Sequence, residues 1–237
     1  MNFKILKEKI FNLKNLTTDE TSFIFDLIMT GKISEIEMSA ILISLKIKSE
    51  TKEEILGATL CMREKSLKIN TEEDTVDTCG TGGDMSGTLN ISTSAAIVAA
   101  SAGIKVAKHG NRSISSKSGS ADMLEKLSYK ILDNPSEIEK SLKKNNFCFL
   151  FAQYHHSAMK HVGNVRKLLG TRTIFNLLGP LTNPANANKQ LLGVYDKKWV
   201  KIHCEVLKEL GSKHALVVHG NDGLDEISLS GVTHISE

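Results

Sequence analysis

The spacing of apolar residues in this chain changes near residue 70, and that change constrains its fold more than any other feature. Residues 1–68 carry only helical signals. Three hydroxyl–acid pairs stand in succession: Thr17 with Glu20, Ser34 with Glu37, and Thr51 with Glu54. In each pair the hydroxyl can accept from the amide three residues on, while the acid reaches back to the cap amide. Apolar stretches follow, with Ile36, Ala40, Ile43 and Ile47 on one helical face. Gly31 supplies the left-handed stop that helix ends favour. These signals predict a small helical bundle.

From about residue 74, short β-branched or aromatic runs alternate with helical ones. Residues 75–79, 104–107, 147–151, 191–195 and 215–219 read as strands. Residues 92–101, 123–127, 199–210 and the segment after Asn134-Pro135 read as helices, the last with a cap followed by proline at the first helical position. The expected class is therefore α/β: a small N-terminal helical domain over 1–68, then a larger α/β domain over 74–237 with a mostly parallel central sheet. Such sheets bind ligands at the carboxyl ends of their strands. Residues 171–190, with Gly179-Pro180 and Asn183-Pro184, have the composition of a connector or hinge.

Composition excludes several classes. The 237 residues carry a net charge of only +3, with scattered lysines, which argues against a non-specific nucleic-acid binder. No apolar run approaches the roughly 18 residues of a membrane helix, and charges interrupt the N-terminus too often for a signal peptide. Cys61, Cys79, Cys148 and Cys204 form no close pair and read as reduced thiols of a cytoplasmic protein.

Three segments at strand ends carry chemistry. Gly80-Thr81-Gly82-Gly83-Asp84 follows a predicted strand, where glycines let backbone amides approach an anion. The chain then runs through Thr88 to Asn90-Ile91-Ser92-Thr93, which opens an Ala-rich helix whose N-terminus favours phosphate. This is neither a Walker loop nor a dinucleotide fingerprint. A second segment, residues 108–120, holds three cations, five serines and two glycines after the next strand. Two anion loops on adjacent strand ends suggest a ligand with two phosphate groups. The third, Gly220-Asn221-Asp222-Gly223-Leu224-Asp225-Glu226, offers adjacent hard carboxylates of the kind magnesium takes. The histidines His155, His156 and His161 lack the spacing of a helical zinc pair and read as surface or packing residues.

These motifs, together with Lys108-His109-Gly110-Asn111-Arg112-Ser113 and Gly179-Pro180-Leu181-Thr182-Asn183-Pro184, resemble in order and spacing those of the anthranilate phosphoribosyltransferases. The resemblance covers essentially the whole chain. It implies the fold of the nucleoside-phosphorylase-like phosphoribosyltransferases, with residues of about 155–185 added to the helical domain and a hinge near 171–190. It implies transfer of phosphoribosyl from 5-phosphoribosyl 1-pyrophosphate to the amino group of anthranilate in tryptophan biosynthesis. By its motif positions Gly80, Gly83, Asp84, Thr88, Asn90, Ile91, Ser92, Thr93, Lys108, His109, Gly110, Asn111, Arg112, Ser113, Ile114, Ser115, Ser116 and Ser120 hold the pyrophosphate substrate. Ser92, Asp225 and Glu226 hold two magnesium ions (Mg2+), and Gly80, Asn111 and Arg166 meet anthranilate. Arg166 stands among Val162, Val165, Leu168 and Leu169, and its fork suits a carboxylate. Tyr154 and His155 fall near the anthranilate channel, and His109 is a candidate proton acceptor, although a neutral aniline nitrogen requires no strong base. A homodimer through the helical domain is implied, with no nucleic-acid or membrane partner.

One departure stands out. Family members continue beyond the point where this chain ends, and Val232-Thr233-His234-Ile235-Ser236 reads as a strand near a C-terminal truncation. The alternatives are a pyrimidine-nucleoside phosphorylase of the same fold, a nucleic-acid-binding relative, or an inactive truncated one. The first carries a Lys-x-Ser-Thr-Gly-Gly loop, where this chain has Thr78-Cys79-Gly80-Thr81-Gly82-Gly83.

Overall fold

The structure is a computed structural model that describes residues 1–82, 90–112 and 119–237. In chain order it runs α1 (Phe3–Phe11), α2 (Thr18–Met29), α3 (Glu35–Lys48), α4 (Lys52–Glu64), β1 (Val76–Asp77), α5 (Ile91–Ser101) and β2 (Val106–Gly110). It continues with α6 (Ser120–Lys126), α7 (Pro135–Asn145), β3 (Phe147–Phe151), α8 (Ala152–His155), α9 (Lys160–Leu169) and α10 (Ile174–Leu178). It closes with β4 (Lys189–Gly193), α11 (Lys198–Glu209), β5 (His214–Gly220) and β6 (Thr233–Ser236). Two compact units result: Met1–Ser66 with His156–Thr182, and Leu67–His155 with Asn183–Glu237.

In the helical unit all three capping boxes form, starting α2, α3 and α4. Glu54 does more than cap. Its carboxylate, fully buried, also accepts from Leu16 N at 2.9 Å and Lys48 Nζ at 2.7 Å, tying three segments together. Gly57 lets α4 lie against α2, because a Cβ there would stand 2.2 Å from Thr18 O. Arg63 Nε donates to Leu181 O at 2.7 Å, and the Phe25 and Phe175 rings sit 5.4 Å apart, so the later segment packs on the same bundle.

The expected apolar face of α3 is not the buried one. Met38, Ile41, Leu42 and Leu45 go inside, whereas Ile36 is 82% and Ile47 68% exposed. The helix is apolar on two sides, and the bundle buries one. Within residues 171–190, α10 and a 3-10 turn at Gly179–Leu181 form because Ile174, Phe175, Leu177 and Leu178 find a core, and the chain passes from one unit to the other at Thr182–Asn183.

The second unit is a six-stranded sheet in the order β3-β2-β1-β4-β5-β6. Strands β1 to β5 are parallel, and β6 pairs antiparallel with β5. Side chains alternate across β2 and β3. Val106, Phe147, Phe149 and Phe151 pack with Ala96, Ala100, Ala121 and Leu124 of α5 and α6. Ala107, Cys148 and Leu150 pack with Ile138 and Leu142 of α7 and with Ile69 and Ala185. The β2 ladder runs farther than the sequence suggested, so Lys108, His109 and Gly110 belong to a strand, each paired with β3.

Candidate functional site

The carboxyl ends of β1 and β4 lie side by side where the strand order reverses. The chain leaving β1 goes on to build β2 and β3, and the chain leaving β4 builds β5 on the other side. A crevice is left between the two exits. Gly80-Thr81-Gly82 enters it. Thr81 N donates to Gly193 O at 2.9 Å, and Tyr195 N donates to Thr81 Oγ1 at 3.0 Å, stitching the glycine segment to the end of β4.

The loop after β5 folds onto the same place, with Gly82 N donating to Asp225 Oδ2 at 2.8 Å. There is no room for side chains beneath it. A Cβ on Gly193 would lie 1.6 Å from Asp225 O, and one on Gly80 would lie 3.0 Å from Asp225 Oδ2. Asp222 shapes the loop by accepting from the hydroxyls of Ser228 and Ser230 and from Leu224 N. Those hydrogen bonds hold its carboxyl below the usual range, the Ser228 hydroxyl contributing most. Asp225 and Glu226 offer only hard oxygen donors, as does Ser92, and such a set fits magnesium.

A second feature lies on the α5 face of the sheet. Lys108, 1% exposed, donates through Nζ to Thr78 O at 3.2 Å and lies 3.4 Å from Thr78 Oγ1 and 3.5 Å from Ser92 Oγ. Thr78 Oγ1 donates to Ser92 O at 2.8 Å, joining the end of β1 to the first turn of α5. Asn90 caps that helix by accepting from Thr93 N, and Thr93 Oγ1 donates to Ser120 Oγ at 3.0 Å. A buried ammonium facing neutral oxygens at a helix N-terminus costs desolvation that an arriving anion offsets.

The opposite face holds the strand ends in place. Asp77 is fully buried, and its carboxylate accepts from His109 N at 3.1 Å and Asn183 Nδ2 at 2.7 Å. Asn183 also donates to Ala107 O at 2.8 Å and accepts from Ala185 N at 2.8 Å. Burial pushes the Asp77 carboxyl up to about 6, opposed by the Lys108 charge and these hydrogen bonds.

The remaining expected residues are placed as follows. Gly110 must be glycine, since a Cβ would stand 2.9 Å from the Phe149 ring and 3.0 Å from Ser120 Cβ. Asn111 Oδ1 accepts from Arg112 N at 2.8 Å. The Arg112 guanidinium lies over the Phe151 ring and is engaged by Glu125 at 2.6 Å and Asp122 at 3.2 Å, so its donors face α6. Ile91 opens α5 and is 38% exposed. Gly83, Asp84 and Thr88, and Ser113, Ile114, Ser115 and Ser116, lie outside the described residues. Arg166 belongs to the helical unit, half-buried, with Cζ 5.6 Å from the Phe175 ring centroid; burial lowers its pKa. Of its expected apolar neighbours only Val162 and Val165 are buried, while Leu168 is 75% exposed. His155 pairs through Nδ1 with Leu67 O at 2.7 Å and has its pKa lowered by burial, a packing role. His161 lies beside Gly31. Sequence reasoning missed Asp77 and Gly193, and it quoted Thr78, Asn183 and Asp222 within longer motifs without giving them a role. An acid inside a β-branched run was the available signal for Asp77.

Comparison with known proteins bears on both parts of the chain. Residues 72–237 match the glycosyl transferase family a/b domain, and residues 4–66 match the helical bundle domain of that family. The anthranilate phosphoribosyltransferase of Xanthobacter autotrophicus is 50% identical over 99% of this chain and 68% of its own length. The crystal structure of the Thermus thermophilus enzyme of that name superposes with a TM-score of 0.90 at 38% identity, over 98% of this chain and 72% of that one. The Saccharomyces cerevisiae enzyme in complex with PRPP and Mg gives 0.89 at 30% identity, over 100% of this chain and 73% of that one.

Asp77 has a pH signature. Its folded-state pKa of about 6 exceeds the ordinary 3.8, so its stabilising contribution is complete below about pH 4 and is lost as pH rises through 6. Chemical unfolding of wild type and Asp77→Asn across that window should diverge by about 3 kcal/mol, with the wild type declining relative to the variant as pH rises. Parallel curves would contradict the assignment.

Proposed function

The chain belongs to the anthranilate phosphoribosyltransferases of the glycosyl transferase family, and on that premise we propose how its residues carry the reaction. The enzyme transfers the phosphoribosyl group of 5-phosphoribosyl 1-pyrophosphate to the amino group of anthranilate, releasing pyrophosphate. The observation that carries the residue-level reading is the seating of Asp225 on the Gly82 amide at the sheet's switch point. It supports a pyrophosphate pocket walled by the glycine segment, the start of α5 and the end of β2.

In that pocket Lys108 and the α5 N-terminus take phosphate oxygens, with Gly80, Asn90, Ile91, Ser92 and Thr93 on one wall. His109, Gly110, Asn111, Arg112 and Ser120 form the other, and we assign a part in binding the same ligand to Gly83, Asp84, Thr88, Ser113, Ile114, Ser115 and Ser116. Arg112 must exchange its α6 carboxylates for the ligand to take part. Ser92, Asp225 and Glu226 hold magnesium, two ions in our reading, which when bound supplies positive charge to the pyrophosphate oxygens. The ribose C1–oxygen bond breaks as the nitrogen lone pair of anthranilate closes on C1, and the amine then loses a proton. The buried Lys108 stabilises charge growing on the leaving group without reorganisation. Arg166 is the residue we assign to the anthranilate carboxylate; positioning provides much of the rate.

We further assign a cytoplasmic homodimer. No helix among the described residues is long and apolar enough to cross a membrane. The unburied side of α3, with Ile36 and Ile47 exposed and a groove of about 460 Å³ lined by Phe11, Ala40 and Ile43, supports pairing through the helical unit. Sedimentation equilibrium should give twice the chain mass of 26.0 kDa, and Ile43→Glu should halve it. A single-chain mass for wild type would overturn the dimer.

Pyrophosphate release with anthranilate should require magnesium, and Asp225→Asn should lower it on the order of 10²-fold. Arg166→Lys should raise KM for anthranilate more than it lowers kcat, because an ammonium cannot make the forked contact. Phosphorolysis of thymidine or uridine in place of this reaction would overturn the reading.

A further inference from the structure

We propose that Asp77, Cys79 and His109 form a binding site for a soft divalent cation of the zinc type, separate from the oxygen donors of the loop after β5. Parallel pairing of Val76 with Val106 sets Cys79 opposite His109 when the register is carried forward. Alternation along the strands then puts Asp77, Cys79 and His109 on one face, opposite the face that carries Lys108. One donor atom from each, a carboxylate oxygen, a thiol sulfur and a ring nitrogen, lies within 4.8 Å of the others.

Bond lengths of about 2.0–2.3 Å give a tetrahedral site donor–donor edges of about 3.3–3.8 Å. The cluster closes to that size with shifts of about 1 Å, within reach of side-chain torsions. The three protein ligands leave a fourth position for water. The carboxylate is already aimed by His109 N, Asn183 Nδ2 and the Thr78 amide, which leaves one of its four lone-pair positions for an ion. Oriented ligands of this kind are what outer hydrogen bonds provide in metal sites. As the metal–sulfur bond forms, the Cys79 thiol releases its proton to solvent. Thiolate and imidazole select zinc-type ions, whereas magnesium goes to oxygen. The site does not depend on the transferase reading, but its occupation would hold both residues that flank the glycine segment and the second anion loop.

Cobalt(II) titration of the full chain tests it. One equivalent should produce a near-ultraviolet thiolate-to-cobalt band with the visible intensity of a four-coordinate ion. Cys79→Ser should abolish the band, whereas Cys61→Ser, Cys148→Ser, Cys204→Ser and Asp225→Asn should each retain it. An absent band, a band that survives Cys79→Ser, or displacement by millimolar magnesium would overturn the proposal. Should Cys79→Ser fail to fold, alkylation of the wild type read by mass spectrometry replaces it. One equivalent of zinc should slow modification of Cys79 at least tenfold, and an unchanged rate would be equally fatal.

Discussion

The contact between the Asp225 carboxylate and the Gly82 amide is the constraint around which the α/β unit is arranged. A hydrogen bond to a charged acceptor is worth about 1.5–3 kcal/mol, but only if its geometry is prepared. Preparation here means removing side chains. Gly193, at the last position of β4, admits the Asp225 backbone, and Gly80 admits its carboxylate. Asp222 then folds the loop from within through Ser228, Ser230 and Leu224, so that Asp225 arrives already aimed. In the proposed function this contact couples two ligands. An amide suited to phosphate is filled by a carboxylate suited to magnesium, so the partner that draws Asp225 away releases the donor that the other needs.

The two faces of the β1–β2 end divide the remaining work. Lys108, Thr78 and Ser92 make a buried cationic pocket on the α5 face, where charge is needed. Asp77 and Asn183 pin the other face, joining β1, β2 and the segment before β4 by four hydrogen bonds through one amide and one carboxylate. Burying a carboxyl there costs stability at neutral pH, and what it secures is the position of His109 and of the chain that leaves β2. A strand end held this rigidly can present a loop without large reorganisation.

Much of this was legible in the sequence, for reasons that are local. The capping boxes of Thr17, Ser34 and Thr51, the Asn134-Pro135 start of α7 and the Asn90 cap depend on neighbours within three residues. The strand–helix alternation gave the parallel sheet, and the strand-end motifs gave the residues now found around the switch point. What was not legible depends on distant partners. Nothing near Ile36 or Ile47 says which of the two apolar sides of α3 the bundle will bury. The helix at 174–178 exists because Phe25 waits for Phe175, a contact between residues far apart in sequence. Gly193 looks like an ordinary strand end until Asp225 is laid against it. Nothing beside Arg112 in the chain shows that Asp122 and Glu125 of α6 will engage its guanidinium.

Calorimetry of phosphoribosyl pyrophosphate binding to the full chain, with and without magnesium, tests the coupling through Asp225 most directly. Wild type should gain affinity strongly when magnesium is added, and Asp225→Asn should lose most of that gain while still binding the ligand through Lys108 and the α5 N-terminus. An equal gain in both proteins would show that Asp225 does not link the two ligands, and would contradict the account.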